Sequence, residues 1–204
     1  TAVGARIESL LSRERKMRES AGELDKLGAE NWKRTDELAL AEAARIQHTV
    51  VEDGEQLVRI LEGEGTTVIL PDMAEQIVAD MATIATRLDE SDTGQLTQTL
   101  LDSVIAELEQ ISAAVETQRK EQQDELMRDA QGGQGGDQSQ PLLPPSAELK
   151  LLRAQQLRIN ERTTAVADES AALPPAQRTA ELERLGARQR RLTELTRRMH
   201  ESQP

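Results

Sequence analysis

Leu101, Val104, Leu108, Ile111 and Val115 recur at alternating steps of three and four residues. That spacing keeps one side chain per turn on a single helix face and closes the face against another helix. The register runs on through Gln118, Gln122 and Glu125, so the pattern predicts a helix over 95–128 whose buried face fades toward its end. Comparable stripes appear earlier. Ile7, Leu10, Glu14, Met17, Ala21 and Leu24 mark a helix over 2–27, with Glu14 and Ala21 weakening its seam. Leu38, Ile46, Val50, Leu57 and Leu61 mark a second over 31–63, and Met73, Ile77, Met81, Ile84 and Leu88 a third over 71–89. Gly28 and Gly63 stand where helices stop, and Pro71 where one starts, because a proline N–H is not missed in the first helical turn.

Nothing in the composition competes with this pattern. The chain lacks Phe and Tyr, and Trp32 is its one aromatic residue. Burial therefore falls to Leu, Ile, Val, Met and Ala, the residues that fill seams between helices. A Gly, Gln and Pro-rich stretch, "QGGQGGDQSQPLLPP", reads as a flexible linker over 131–146. Beyond it, Leu149, Leu152, Gln156, Ile159, Thr163 and Val166 predict a helix over 147–170, and "LPP" turns the chain. Leu182, Leu185, Gln189, Leu192, Thr196 and Met199 predict another over 175–202. The fold class is all-α: an antiparallel long-helix, coiled-coil-like bundle over 1–130, the linker, and a C-terminal helical hairpin. Polar residues at four hairpin seam positions, Gln156, Thr163, Gln189 and Thr196, imply either a loosely packed or partner-dependent pair of helices or a wet, shallow two-helix seam.

One segment breaks the helical rule. In "EGEGTTVILPD", Glu62 to Asp72, two glycines precede a β-favouring run. A lone strand cannot satisfy its own backbone groups. It is either an extended connector that caps the apolar end of the bundle through Val68 and Leu70, or an edge that pairs with another chain. The connector is the simpler reading.

The charge of −12 is unevenly spread. Residues 50–116 carry fifteen acidic side chains against Arg59 and Arg87, whereas residues 147–204 are net +3. The acidic middle repels phosphate backbones, and the basic cluster of the last helix has no aromatic residue for base stacking, so nucleic acid is not an expected partner. The absence of cysteine excludes disulfides and thiolate metal sites. No apolar run is long enough to span a bilayer. The chain opens directly on a helical pattern without an initiator Met or signal sequence, as expected of a processed or trimmed chain.

Two constellations touch on metal chemistry. In "DESDTGQLTQTL", Asp89, Ser91 and Thr93 fall at calcium-loop positions 1, 3 and 5, but position 12, which needs a bidentate Glu, is Leu100. His48 and Glu52 form an i, i+4 pair without a second His nearby. A polar turn capped by Asp92 or Thr93, and a solvated surface pair, are the expected outcomes. No catalytic triad, phosphate loop or dinucleotide fingerprint is present, so no catalytic residue, cofactor or metal is assigned.

The ordered set "EGEGTTVILPDMAEQIVADMATIATRL", "TGQLTQTLLDSVIAELEQI", the linker and "AELKLLRAQQLRINERT" resembles an uncharacterised family of bacterial helical proteins, over about residues 62–163. That family is similar to coiled-coil proteins of the cell envelope, often encoded near ExbB/TolQ-like and ExbD/TolR-like transport components. The resemblance implies a helical fold, an envelope or periplasmic location, and no known activity. The expected function is non-enzymatic: a scaffold or interaction protein working by helix-face docking, with a protein partner or a second copy. The expected interaction residues are Val68, Ile69, Leu70, Leu101, Val104, Leu108, Ile111, Val115, Leu182, Leu185 and Leu192. The alternative is a periplasmic accessory of an ExbB/ExbD (TolQ/TolR)-like proton-driven transport system.

Overall fold

The computed structural model describes residues 2–65, 67–132, 142–168 and 175–201. Among them every regular element is helical and none is a strand. The chain divides into two compact units, Thr1–Leu143 and Pro144–Pro204.

The first unit holds α1 (Ala2–Leu27), α2 (Arg34–Glu64), α3 (Ile69–Asp89) and α4 (Gln95–Gly132), with a single 3₁₀ turn, Ala29–Asn31, between α1 and α2. Contacts run α1 to α2, α2 to α3, α3 to α4 and α4 back to α1, which closes a four-helix bundle. Arg13 meets Asp53 and Arg6 meets Gln56, so α1 and α2 are antiparallel. Arg15 with Glu109 and Arg18 with Asp102 give α1 and α4 the same relation.

Local chemistry explains the helix ends. Gly28 adopts φ 75° after α1, a left-handed backbone that only glycine takes without strain. The last α1 carbonyls then find side-chain donors: Trp32 Nε1 donates to Leu24 O at 2.9 Å and Asn31 Nδ2 to Leu27 O at 2.8 Å. The lone aromatic is thus a cap at the helix end. Asp36 accepts the Lys33 N–H at 2.8 Å and sets the start of α2, and Gly65, at φ 61°, ends it.

The predicted stripes of α1, α3 and α4 are buried as expected, including Leu101, Val104, Leu108, Ile111 and Val115. Each fully buried Leu, Ile or Met contributes about 1.5–3 kcal/mol. The stripe of α2 needs correction. Leu38 is 57% exposed, and the buried row is Leu40, Ala43, Gln47, Val50, Gly54, Leu57 and Leu61. That row keeps a strict alternation of three and four, but Gln47 and Gly54 disguise it in the sequence. Gly54 is required by close packing: a Cβ there would lie 2.8 Å from Val78 Cγ2 on α3.

The start of α3 also differs. The expected boundary at Pro71 moves to Ile69, because the first-turn N–H groups have no intrahelical partner and proline is tolerated three residues in. Ile69 and Leu70 are therefore helical and fully buried, Val68 is half-buried, and none of the three pairs as an edge strand. Thr66 lies outside the described residues, as does most of the linker expected over 131–146.

The second unit is a hairpin of α5 (Pro145–Asp168) and α6 (Pro175–Glu201). Its buried face overlaps the expected one at Ile159, Val166, Leu185, Leu192 and Met199 and differs at its other positions. Glu148, Leu151, Gln155, Ile159 and Val166 on α5, and Glu181, Leu185, Leu192, Leu195 and Met199 on α6, are buried. Leu149 and Leu182, expected in the seam, are exposed. At the Leu182 end an ion pair explains the difference: Arg162 Nε donates to Glu181 Oε1 at 2.5 Å, with side chains only 10% and 6% exposed, so Glu181 is buried where the sequence pattern expects its neighbour Leu182.

Candidate functional site

The structure takes apart the two metal constellations. His48 Nε2 donates to Asp89 Oδ2 at 2.8 Å, tying α2 to the end of α3, and both side chains are about half exposed. Glu52 is exposed. In the α3–α4 turn Asp92 accepts from Arg87 Nη2 and, through Oδ1, from the Gly94 N–H at 3.0 Å. Arg87 Nε also donates to Thr97 Oγ1 at 2.8 Å, and the Thr93 carbonyl accepts from Gln98 Nε2 at 2.8 Å. The Arg87 guanidinium thus ties Asp92 to Thr97 across the turn, while Asp89 is taken up by His48. Ser91 sits in the left-handed region at φ 61°, and Leu100 points into the core. Among the described residues no group of three or more His, Asp or Glu side chains converges as a metal site. The segment is a polar turn in which Asp92 accepts from the Gly94 N–H just before α4.

The acidic middle of the chain meets its countercharges on α1. Arg13 binds Asp53 at 2.6 Å, Arg15 binds Glu109 at 2.8 Å, and Arg18 grips both Asp102 oxygens at 2.6 and 3.2 Å. These pairs are largely solvated, so they set register more than they add stability.

Each unit carries an open groove. One, of about 590 Å³, lies between α1 and α2 with Met17, Ala43 and Ile46 along its floor and Arg13, Lys16, Glu42 and Arg45 at its edge. Glu42 is chelated by Arg45 at 2.6 and 2.7 Å, which holds its carboxyl below the usual range. The other, of about 510 Å³, lies on the hairpin between Ile159, Asn160, Thr163 and Thr164 of α5 and Leu182, Leu185, Gly186 and Gln189 of α6. Beside it, Gln156 and Gln189 exchange reciprocal amide hydrogen bonds at 2.8 and 3.0 Å. The two seam glutamines therefore satisfy each other.

Of the expected interaction residues, Ile69, Leu70, Leu101, Val104, Leu108, Ile111, Val115, Leu185 and Leu192 are buried in the chain and are core, not docking surface. Leu182, 47% exposed, is the one that stands open.

A polar pair that the sequence did not reveal lies inside the bundle. Glu14 and Gln47 are both fully buried, and Gln47 Nε2 donates to Glu14 Oε1 at 2.8 Å. Desolvation raises the Glu14 carboxyl from 4.5 to about 7, against the opposing effects of the Gln47 hydrogen bond and the Arg13 charge. Glu14 was visible as an odd member of the α1 stripe. Gln47 was detectable only through the three-four spacing it shares with Val50 and Leu57.

No helix among the described residues is long and apolar enough to cross a membrane. Comparison of the chain with models of known families, with curated proteins and with solved structures finds no match.

Proposed function

We propose that this chain is a non-enzymatic interaction protein that works by helix-face docking, and that its docking surface is the open side of the C-terminal hairpin. The observation that carries the reading is the hairpin groove, where Ile159 and Leu185 form an apolar floor and exposed Leu182 forms a rim. Polar groups around it, Asn160, Thr163, Thr164 and Gln189, set register for an incoming helix. A second copy of the chain is the simplest occupant, since its own hairpin offers the same mixture.

The test is light scattering with helical circular dichroism across a dilution series. The expected result is a mass above the monomer that falls on dilution, and a monomer at every concentration for Leu182→Lys. A wild-type chain that stays monomeric, with constant helicity, overturns self-docking.

A second reading makes the chain a periplasmic accessory of an ExbB/ExbD-like proton-driven transport system. It is favoured by α4, a helix of 38 residues, or about 57 Å. Among the described side chains the last buried one is Val115, and beyond it Arg119, Lys120 and Glu121 are exposed. Crosslinking from Lys120 in cell envelopes is expected to capture a transport subunit; no such adduct removes this reading.

A further inference from the structure

Between α1 and α2 the buried pair is one proton short of a complete set of hydrogen bonds. Gln47 Nε2 gives one N–H to Glu14 Oε1 at 2.8 Å and lies 3.5 Å from the carbonyl of Met81. Two buried oxygens are left without a donor, Glu14 Oε2 and Gln47 Oε1. An ionised carboxylate has no hydrogen to offer. A neutral carboxyl has one, and the acceptor that lacks a donor sits on the amide it already faces. A carboxylic acid and a primary amide then satisfy each other in both directions.

We propose that the folded bundle carries Glu14 as the neutral acid, and that α1 releases from α2 more readily as the pH rises from the acid range to neutral. The seam is a proton-sensitive latch.

The surroundings support this sign. On α1 itself, Arg13 is the nearby cation and draws charge onto Glu14, but its Nη2 is held by Asp53 at 2.6 Å. Arg15 and Arg18 turn to Glu109 and Asp102 on α4. On α2, Gln47 is uncharged, and His48 is turned to Asp89. Among the described residues the buried ionisable groups of α3 and α4 are Asp72, Asp80 and Glu107. All three are acidic, so none supplies a countercharge. Burial therefore dominates, and the carboxyl sits at about 7. The folded state binds the proton more tightly than the open state, so opening releases it, and the latch weakens with rising pH until the folded state also ionises.

The full chain tests this by amide hydrogen exchange, corrected for intrinsic rates. In the wild type the opening equilibrium of α1 is expected to rise up to about tenfold per pH unit between pH 5 and 7, then level off. In Glu14→Gln, whose amide supplies the missing donor permanently, it is expected to be flat. The Glu14 side-chain carbon resonance, identified by its loss in that variant, is expected to titrate near neutrality. A midpoint in the ordinary carboxylate range, or the same pH slope in both proteins, overturns the proposal. The resonance reads on the wild type alone should the variant fail to fold.

Discussion

Two glutamine-centred pairs sit at comparable places in the two units and behave differently. In the hairpin, Gln156 and Gln189 donate to each other and accept from each other. In the bundle, Gln47 meets Glu14, and the pair closes only if a proton is present. Both bridge helices across the same sequence separation. The difference is one atom, the amide nitrogen that a carboxyl lacks. A seam of two amides is indifferent to pH, whereas a seam of acid and amide has a proton as one of its parts.

The largest expected effect sharpens this contrast. Glu14→Gln turns the bundle pair into a copy of the hairpin pair. Folding of the wild type takes up a proton between pH 4.5 and about 7, so its stability falls across that window as the pH rises and is lowest above it. The variant should gain roughly 3 kcal/mol at pH 8, at about 1.4 kcal/mol for each pH unit of that window, and almost nothing at pH 4.5. Urea unfolding followed by the fluorescence of Trp32, the one tryptophan, reads the bundle alone. Equal gains at both pH values would break the comparison.

A somewhat smaller effect is expected in the hairpin. Arg162→Met removes the guanidinium from Glu181 and leaves that carboxylate buried. The loss should be about 2–3 kcal/mol, at or below the usual figure for a broken buried pair, because Arg184 Nη1 remains 3.7 Å from the other Glu181 oxygen. Hydrogen exchange of α5 and α6 measures it.

The smallest effect probes the amide pair itself. Gln156→Leu orphans the Gln189 amide and should cost about 1 kcal/mol, since the pair is only half-buried. Gln156→Leu with Gln189→Leu should restore most of that loss, because two apolar partners leave nothing unsatisfied. A double variant as weak as the single one would show that the glutamines do more than satisfy each other.

How legible each region was follows from the same chemistry. In α3 and α4 spacing located the aliphatic stripes, Met73 to Leu88 and Leu101 to Val115, but not the buried Asp72, Asp80 and Glu107 beside them. In α2 the expected row took in exposed Leu38 and missed Gln47 and Gly54, because apolarity outranked spacing in the reading. In the hairpin the same preference chose Leu149 and Leu182 over Glu148 and Glu181, while Ile159, Val166, Leu185, Leu192 and Met199 were located correctly. Glu181 is buried because Arg162 reaches it from the other helix, and no local pattern announces that.

The sequence by itself determined that this chain is helical, where each helix runs to within a few residues, and which apolar stripes exist, because backbone propensity and three-four spacing are local properties. Only the tertiary structure decided which face of α2 and of the hairpin is buried, that Trp32 caps α1, and that Glu14 meets Gln47. Those outcomes depend on which donor reaches which acceptor across helices, and that is fixed by packing.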